Sequence, residues 1–282
     1  LHAQNLVTNS AFAGGSFTGW STSSSYEINA QSVYGGPSSS IYATEIDNER
    51  TVNQQVCILP GLTYTLTYEA TRKPDASTPK NPGVTVKVTG TTSNTNYVNN
   101  TQVYTNTTWS ATAKTFTVTI PANSTDKKVN IQFTSYNNTN TYGVVLWDIE
   151  LAPSSNSPIS INGPTTSGVL TPNNFSVNNA PAAAIYSWSF SADANHSSSS
   201  SAAPTGITWA SLGVKNVTVS LSNSSCTMAT YSKAVTISTV LAVGWSSFTG
   251  AMENDNARLT WVSGQESNGK YFIVTRSTDG AL

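Results

Sequence analysis

Apolar and polar residues alternate along most of this chain, and the alternation is clearest between Thr44 and Pro74. There Val52, Gln54 and Val56 are separated by polar neighbours, Pro60-Gly61 makes a turn, and Tyr64, Leu66, Tyr68 and Ala70 share one face with Arg72. A period of two marks a strand with one side buried and the other wet. The same pattern predicts strands over 39–46, 51–58, 62–71, 84–89, 113–120, 129–135 and 144–151. Turn residues separate them at Gly35-Gly36-Pro37, at 79–83 and at Pro121-Ala122-Asn123. The Asn/Thr-rich stretches 91–108 and 137–141 read as loops. Many short strands at this spacing, with no helical period, predict an all-β chain that opens with a jelly-roll β-sandwich over 5–152.

Residues 153–158, PSSNSP, form a short linker stiffened by its prolines. A second pattern runs over 159–240, with strands at 160–162, 174–177, 184–190, 206–210, 216–223 and 234–238. Tyr186, Trp188 and Phe190 set against Val217, Val219 and Leu221 supply a small two-sheet core, the pattern of an immunoglobulin-like sandwich. A third, partial β module begins at 241, with Trp245 and Phe248, then Leu259 and Trp261, then 271–276 as three strands. Leu1-His2-Ala3-Gln4 reads as a signal-peptide remnant at 1–4, with Ala3 as the small residue before a cut.

Composition narrows the partners. Charged residues are 10% of the 282, the net charge is −1, and Ser, Thr and Asn fill the polar positions. Without a basic field there is no driving force for binding nucleic acid or an anionic membrane. No run of 18 apolar residues is present, so no membrane insertion is expected. The hydroxyl-rich, charge-poor balance fits a secreted or cell-surface protein, read here as a monomer. Cys57 and Cys226 fall in different predicted modules and make no disulfide framework. Two separate buried thiols are expected; a bridge would need their Cα atoms within about 7 Å.

Catalysis has little to stand on. His2 belongs to the remnant and His196 sits beside a serine run. No nucleophile–base or zinc motif occurs, so the expectation is no enzyme and no catalytic residue. Glu45 and Asp47 point the same way on one strand, roughly 7 Å apart. Two acids about 5–10 Å apart serve glycoside hydrolysis, but any polar strand face yields that spacing. Binding is better supported, because sugars stack on aromatic faces and take hydrogen bonds from fixed polar groups. Candidate platforms are Tyr34, Tyr42, Tyr97, Tyr104, Trp109, Tyr136 and Tyr142; Trp20, Trp147, Tyr64 and Tyr68 read as core. Glu45, Asp47 and Arg72 form a rim that either pairs two strands or meets ligand. The predicted ligand set is Tyr42, Glu45, Asp47, Arg72, Tyr97, Trp109, Tyr136 and Tyr142.

The opening NLVTNSAFAGGSFTGW, the strand TEID, the hairpin QQVCILPGLTYTLTYEATRKP and the closing GVVLWDIELAP resemble the galactose-binding-like jelly-roll family, which includes many carbohydrate-binding modules. The resemblance implies a carbohydrate partner. It also implies a structural calcium ion held by an Asp of the closing strand, the position of Asp148. Ala13 stands where the family's usual second acid would be, so other oxygens must complete a shell of about six to eight. YSWSF and GVKNVTVSLSNSSC are similar to PKD-type modules, although Ser191-Ala192-Asp193-Ala194 replaces their Gly-Asp-Gly turn. Residues 241–282 resemble the first half of a fibronectin type III-like module. That order of modules resembles secreted adhesive proteins of the Bacteroidetes. The implied function is non-catalytic sugar binding with the later modules as spacers. The alternatives are adhesin modules that bind protein, or the accessory region of a larger glycoside hydrolase.

Overall fold

The computed structural model describes residues 5–74, 81–137, 142–154, 159–181, 183–224, 226–238, 243–254 and 256–266. Two short 3₁₀ turns, Ala13–Gly15 and Gln31–Tyr34, accompany an otherwise all-β chain. Ten strands build the first unit: β1 (Ser21–Thr22), β2 (Ile28–Ala30), β3 (Tyr42–Ile46), β4 (Thr51–Cys57), β5 (Thr63–Arg72), β6 (Gly83–Gly90), β7 (Asn96–Val103), β8 (Thr112–Thr119), β9 (Lys128–Tyr136) and β10 (Val144–Pro153). They form two five-stranded sheets, β1-β4-β9-β6-β7 and β2-β3-β10-β5-β8. The expected β-sandwich is therefore present.

Alternation decides what lies between the sheets. Val52, Val56, Val84, Val86, Val88, Val129, Ile131 and Phe133 point inward from one sheet, and Leu66, Tyr68, Ala70, Val118, Val144 and Leu146 from the other; all are buried. Tyr68 meets Phe133 edge to face at 5.1 Å, and Phe12 lies 5.5 Å from Trp20. The opening segment is sewn on by amides. Asn5 Nδ2 donates to Ile149 O while Leu151 N donates to Asn5 Oδ1, both at 3.1 Å. Buried Gln54 accepts from Thr8 N at 2.7 Å and donates to Thr8 O at 2.9 Å.

One detail of the first unit departs from the sequence reading. Residues 91–108 were expected to be a loop, yet β7 lies inside them. As an edge strand it needs little apolar content: Val98 is its one buried residue, and Asn or Thr occupies four of its eight positions. The turn before it is organised by Asp126. That fully buried carboxylate accepts from Thr92 N and Ser93 N, and from the Ser93 and Tyr97 hydroxyls, the last two at 2.6 Å. A Cβ at Gly90 would fall 2.0 Å from Asp126 Oδ2, so only glycine fits against this cap.

The second unit contains β11 (Ser160–Asn162), β12 (Thr166–Gly168), β13 (Ser176–Asn178), β14 (Ile185–Phe190), β15 (Ser198–Ser199), β16 (Gly213–Ser222) and β17 (Thr227–Ser238). One sheet, β12-β17-β16-β14-β15, is accompanied by the pair β11-β13. Trp188, Phe190, Val217, Val219 and Leu221 are buried, as expected, joined by Phe175 and Trp209. The predicted strand at 206–210 is instead irregular, making single bridges from Ile207 to Asn173 and from Trp209 to Ala194.

A larger correction concerns the cysteines. Cys57 and Cys226 are not two separate thiols: they form a disulfide, with Cα atoms 6.3 Å apart. The last described strands, β18 (Val243–Glu253) and β19 (Asn256–Glu266), make one long hairpin in place of the short strands expected there. The strand predicted at 271–276 lies outside the described residues, as do the signal remnant at 1–4 and positions 155–158 of the linker.

The Asp126 cap carries a pH signature. Burial alone would raise its pKa, but the Ser93 and Tyr97 hydroxyls and the Ser93 and Thr92 amides outweigh burial and hold the carboxyl well below its usual range. A depressed folded pKa contributes stability above the unfolded value of about 3.9 that is lost as pH falls toward the folded value. Asp126→Ala is expected to lower unfolding free energy by about 3 kcal/mol at pH 7. Urea titrations at pH 7 and pH 2.5 check this, because the deficit should shrink at the lower pH.

Candidate functional site

The first sandwich has two outer faces, and they differ in what covers them. On the β2-β3-β10-β5-β8 sheet, Ala43, Glu45, Val145, Trp147 and Thr71 point outward yet are buried. The 3₁₀ turn Gln31–Tyr34 and Trp109 close over them: Tyr34, Ala43, Val145 and Trp147 form a small second core, with Trp109 stacked on Trp147 at 5.3 Å. Thr71 Oγ1 accepts from Asn106 Nδ2 and Ser110 N, which ties down the loop carrying Trp109.

Glu45 sits at the edge of this second core at 0% exposure. Its Oε2 accepts from Lys73 Nζ at 2.7 Å and its Oε1 from Gly143 N at 2.8 Å. The Lys73 ammonium also lies 5.6 Å from the Tyr34 ring centre and 5.4 Å from that of Tyr142. Burial raises the Glu45 pKa, and the bonds from Lys73 and Gly143 oppose it. Asp47 pairs with Arg50 Nη2 at 3.3 Å, and Arg50 Nη1 donates to Glu45 O. The expected rim of Glu45, Asp47 and Arg72 is thus assembled differently. Arg72 falls in the inward row with Ile46 and Val144, one residue out of phase with Glu45, and Lys73 and Arg50 pair with the two acids.

The remaining predicted ligand residues are scattered. Tyr42 packs against the main core and Gly15; Tyr97 gives its hydroxyl to Asp126; Trp109 and Tyr142 are half-buried around the second core. Asp148 stands exposed on a β-bulge of β10, with φ 52°. It is not among the described acids close enough to share an ion, which are Glu27, Glu45 and Asp47. Lys73 and Arg50 already neutralise two of those three.

Tyr136 has a different setting. It is 47% exposed and ends the outward row of β9, over Gly83, where an added Cβ would lie 3.0 Å from its ring. Below it the β4-β9-β6-β7 face carries polar residues in register across the strands. One row is Thr51, Thr134, Thr85 and Thr101; the next is Asn53, Gln132, Lys87 and Asn99; the third is Gln55, Asn130, Thr89 and Asn96. Every one of these is half-buried or exposed. Internal bonds fix several of them: Thr51 Oγ1 to Thr134 Oγ1 at 3.2 Å, Thr85 Oγ1 to Thr101 Oγ1 at 2.9 Å, and Gln132 Nε2 donating to Thr134 Oγ1 at 3.0 Å. The three rows contain no carboxylate. Apart from Tyr136 itself, none of this face was singled out from sequence, because a polar residue on a wet strand face has no signal of its own until register aligns it with others.

The family described as "Protein of unknown function (DUF642)" matches residues 31–152. No curated protein matches the chain. Solved structures similar to it include TmCBM61 in complex with β-1,4-galactotriose, at 15% identity and a TM-score of 0.42, covering 54% of this chain and 100% of that one. A structure titled "CBM4 structure and function" shares 20% identity at a TM-score of 0.35, covering 52% and 99%. The K1 cleaved adhesin domain of Lys-gingipain from Porphyromonas gingivalis W83 shares 13% at 0.35, covering 49% and 92%. At these identities and scores the functional reading has to rest on the polar face itself.

The Glu45 cluster generates a stability test. Lys73→Met removes the ammonium while leaving the carboxylate buried, and breaking a largely buried pair in this way is expected to cost about 3 kcal/mol at pH 7. The raised Glu45 pKa means that its ionisation opposes folding as pH rises, so the deficit of the variant should grow from pH 4 to pH 8. Thermal melts across that range measure it.

Proposed function

We propose that this chain is a non-catalytic carbohydrate-binding protein, secreted or displayed at a cell surface, and that the β4-β9-β6-β7 face takes the sugar. The observation that carries the reading is the union on one uncovered face of an exposed aromatic ring, Tyr136, with three in-register rows of hydroxyls and amides. A saccharide offers C–H patches that stack on a ring, and hydroxyls that both donate and accept. Thr, Asn and Gln match that two-way demand, and those already bonded to one another pay little entropy to be held in place. Lys87, in the middle row, adds donors without a carboxylate nearby in those rows.

Glu45 and Asp47, the two acids weighed for glycoside hydrolysis, lie with carboxylate oxygens within 4.8 Å of each other and are buried and committed to Lys73 and Arg50, which supports binding without bond cleavage. The disulfide supports an oxidising compartment.

A glycan array, followed by depletion assays on insoluble galactan, xylan and cellulose, tests the reading. Tyr136→Ala is expected to weaken retention about tenfold, the scale of one lost stacking contact. Gln132→Ala should weaken it by a similar factor, whereas Thr115→Ala, on the opposite outer face, should leave it unchanged. Retention by none of these sugars, or equal loss in all three variants, would refute the assignment.

A further inference from the structure

The polar face does not end in open solvent at its Cys57 end. Alternation places Cys57 in the same outward series as Thr51, Asn53 and Gln55, with Lys128 as its register partner on β9. Cys226, at the turn between β16 and β17, is bonded to it. A second attachment is independent of sulfur. Asn223, 5% exposed, donates its Nδ2 hydrogens to Ile58 O and Lys127 O, each at 2.8 Å, at the points where β4 and β9 run out. Its Oδ1 accepts from Cys226 N at 3.0 Å, which holds the turn in shape. Swinging this turn away would break the disulfide and strip partners from a buried amide, so the second sandwich is fixed across the end of the face.

We propose, resting on the carbohydrate reading above, that the β16–β17 turn is an end stop: a polysaccharide laid along β4 and β9 terminates against it. The face then recognises chain termini in preference to chain interiors. From Tyr136 to Asn130 the run available along β9 is roughly 20 Å, at 3.3 Å per residue. The two sandwiches form one binding unit, with the second supplying selectivity that the first would lack alone.

The test uses galactan, xylan and cellulose, each intact and after partial acid hydrolysis, which multiplies termini at constant sugar mass. The wild-type chain is expected to be retained about fivefold better per unit mass on the hydrolysed form of whichever sugar it binds. A Cys57→Ser/Cys226→Ser/Asn223→Ala variant should bind both forms equally. The wild-type comparison stands on its own if that variant fails to fold, and reduction of an Asn223→Ala variant with dithiothreitol gives a second way to release the turn. Equal retention by the wild type on intact and hydrolysed polymer overturns the end stop and leaves sugar binding standing. Persistence of the preference in a folded variant also overturns it. Retention on no polymer sinks the carbohydrate reading and the end stop with it.

Discussion

The meshing of two inward-facing rows of side chains is what the first sandwich depends on. β9 lies at the centre of one sheet and β10 at the centre of the other. Phe133, Ile131 and Val129 reach from the first toward Tyr68, Leu146 and Val144 of the second, and all six are essentially closed to solvent. Each large apolar side chain buried this way is worth about 2–3 kcal/mol. The strands can stay in register only while every second residue serves that core, which leaves the alternate residues to two outer faces. One face is sealed by a turn and a tryptophan. The other is left wet and lined with hydroxyls and amides.

Much of this was legible in the sequence, for physical reasons particular to each element. The strands carrying Val52, Tyr64 to Ala70 and Val129 to Phe133 declared themselves through period-two burial. β7 did not, since an edge strand dominated by Asn and Thr has the composition of a loop. Tyr136 could be picked out because an aromatic ring at a strand end is unusual. Gln132, Asn53 and Lys87 could not, because their meaning comes from neighbours on other strands. The acids Glu45 and Asp47 were legible as a paired rim, their cations less so: Arg72 obeys the inward phase of β5, and Lys73 and Arg50, which pair with the acids, lie just outside the strands. The disulfide was hidden by a separation of 169 residues and by the division of its two halves between modules.

At the junction the β16–β17 turn is tied to the first sandwich by covalent and polar contacts. A cystine and an asparagine side chain both engage the ends of β4 and β9 there. A linker alone would leave the orientation to chance. With the orientation set, whatever lies at the ends of β4 and β9 belongs to the surroundings of any ligand on the face.

One consequence of the register in β9 concerns how such a protein can change. Asn130, Gln132 and Thr134 face solvent only because Val129, Ile131 and Phe133 face the core, so the chemistry of the outer face and fold stability are written in alternate letters of one word. Substitutions at the even positions can change the chemistry of that face at little structural cost. An insertion or deletion of a single residue would exchange the two sets, sending amides between the sheets and a phenylalanine into water. Diversification of this surface is therefore open to point changes and closed to changes in length, and lineages carrying the fold should differ at the outward positions of β9 while its residue count stays constant.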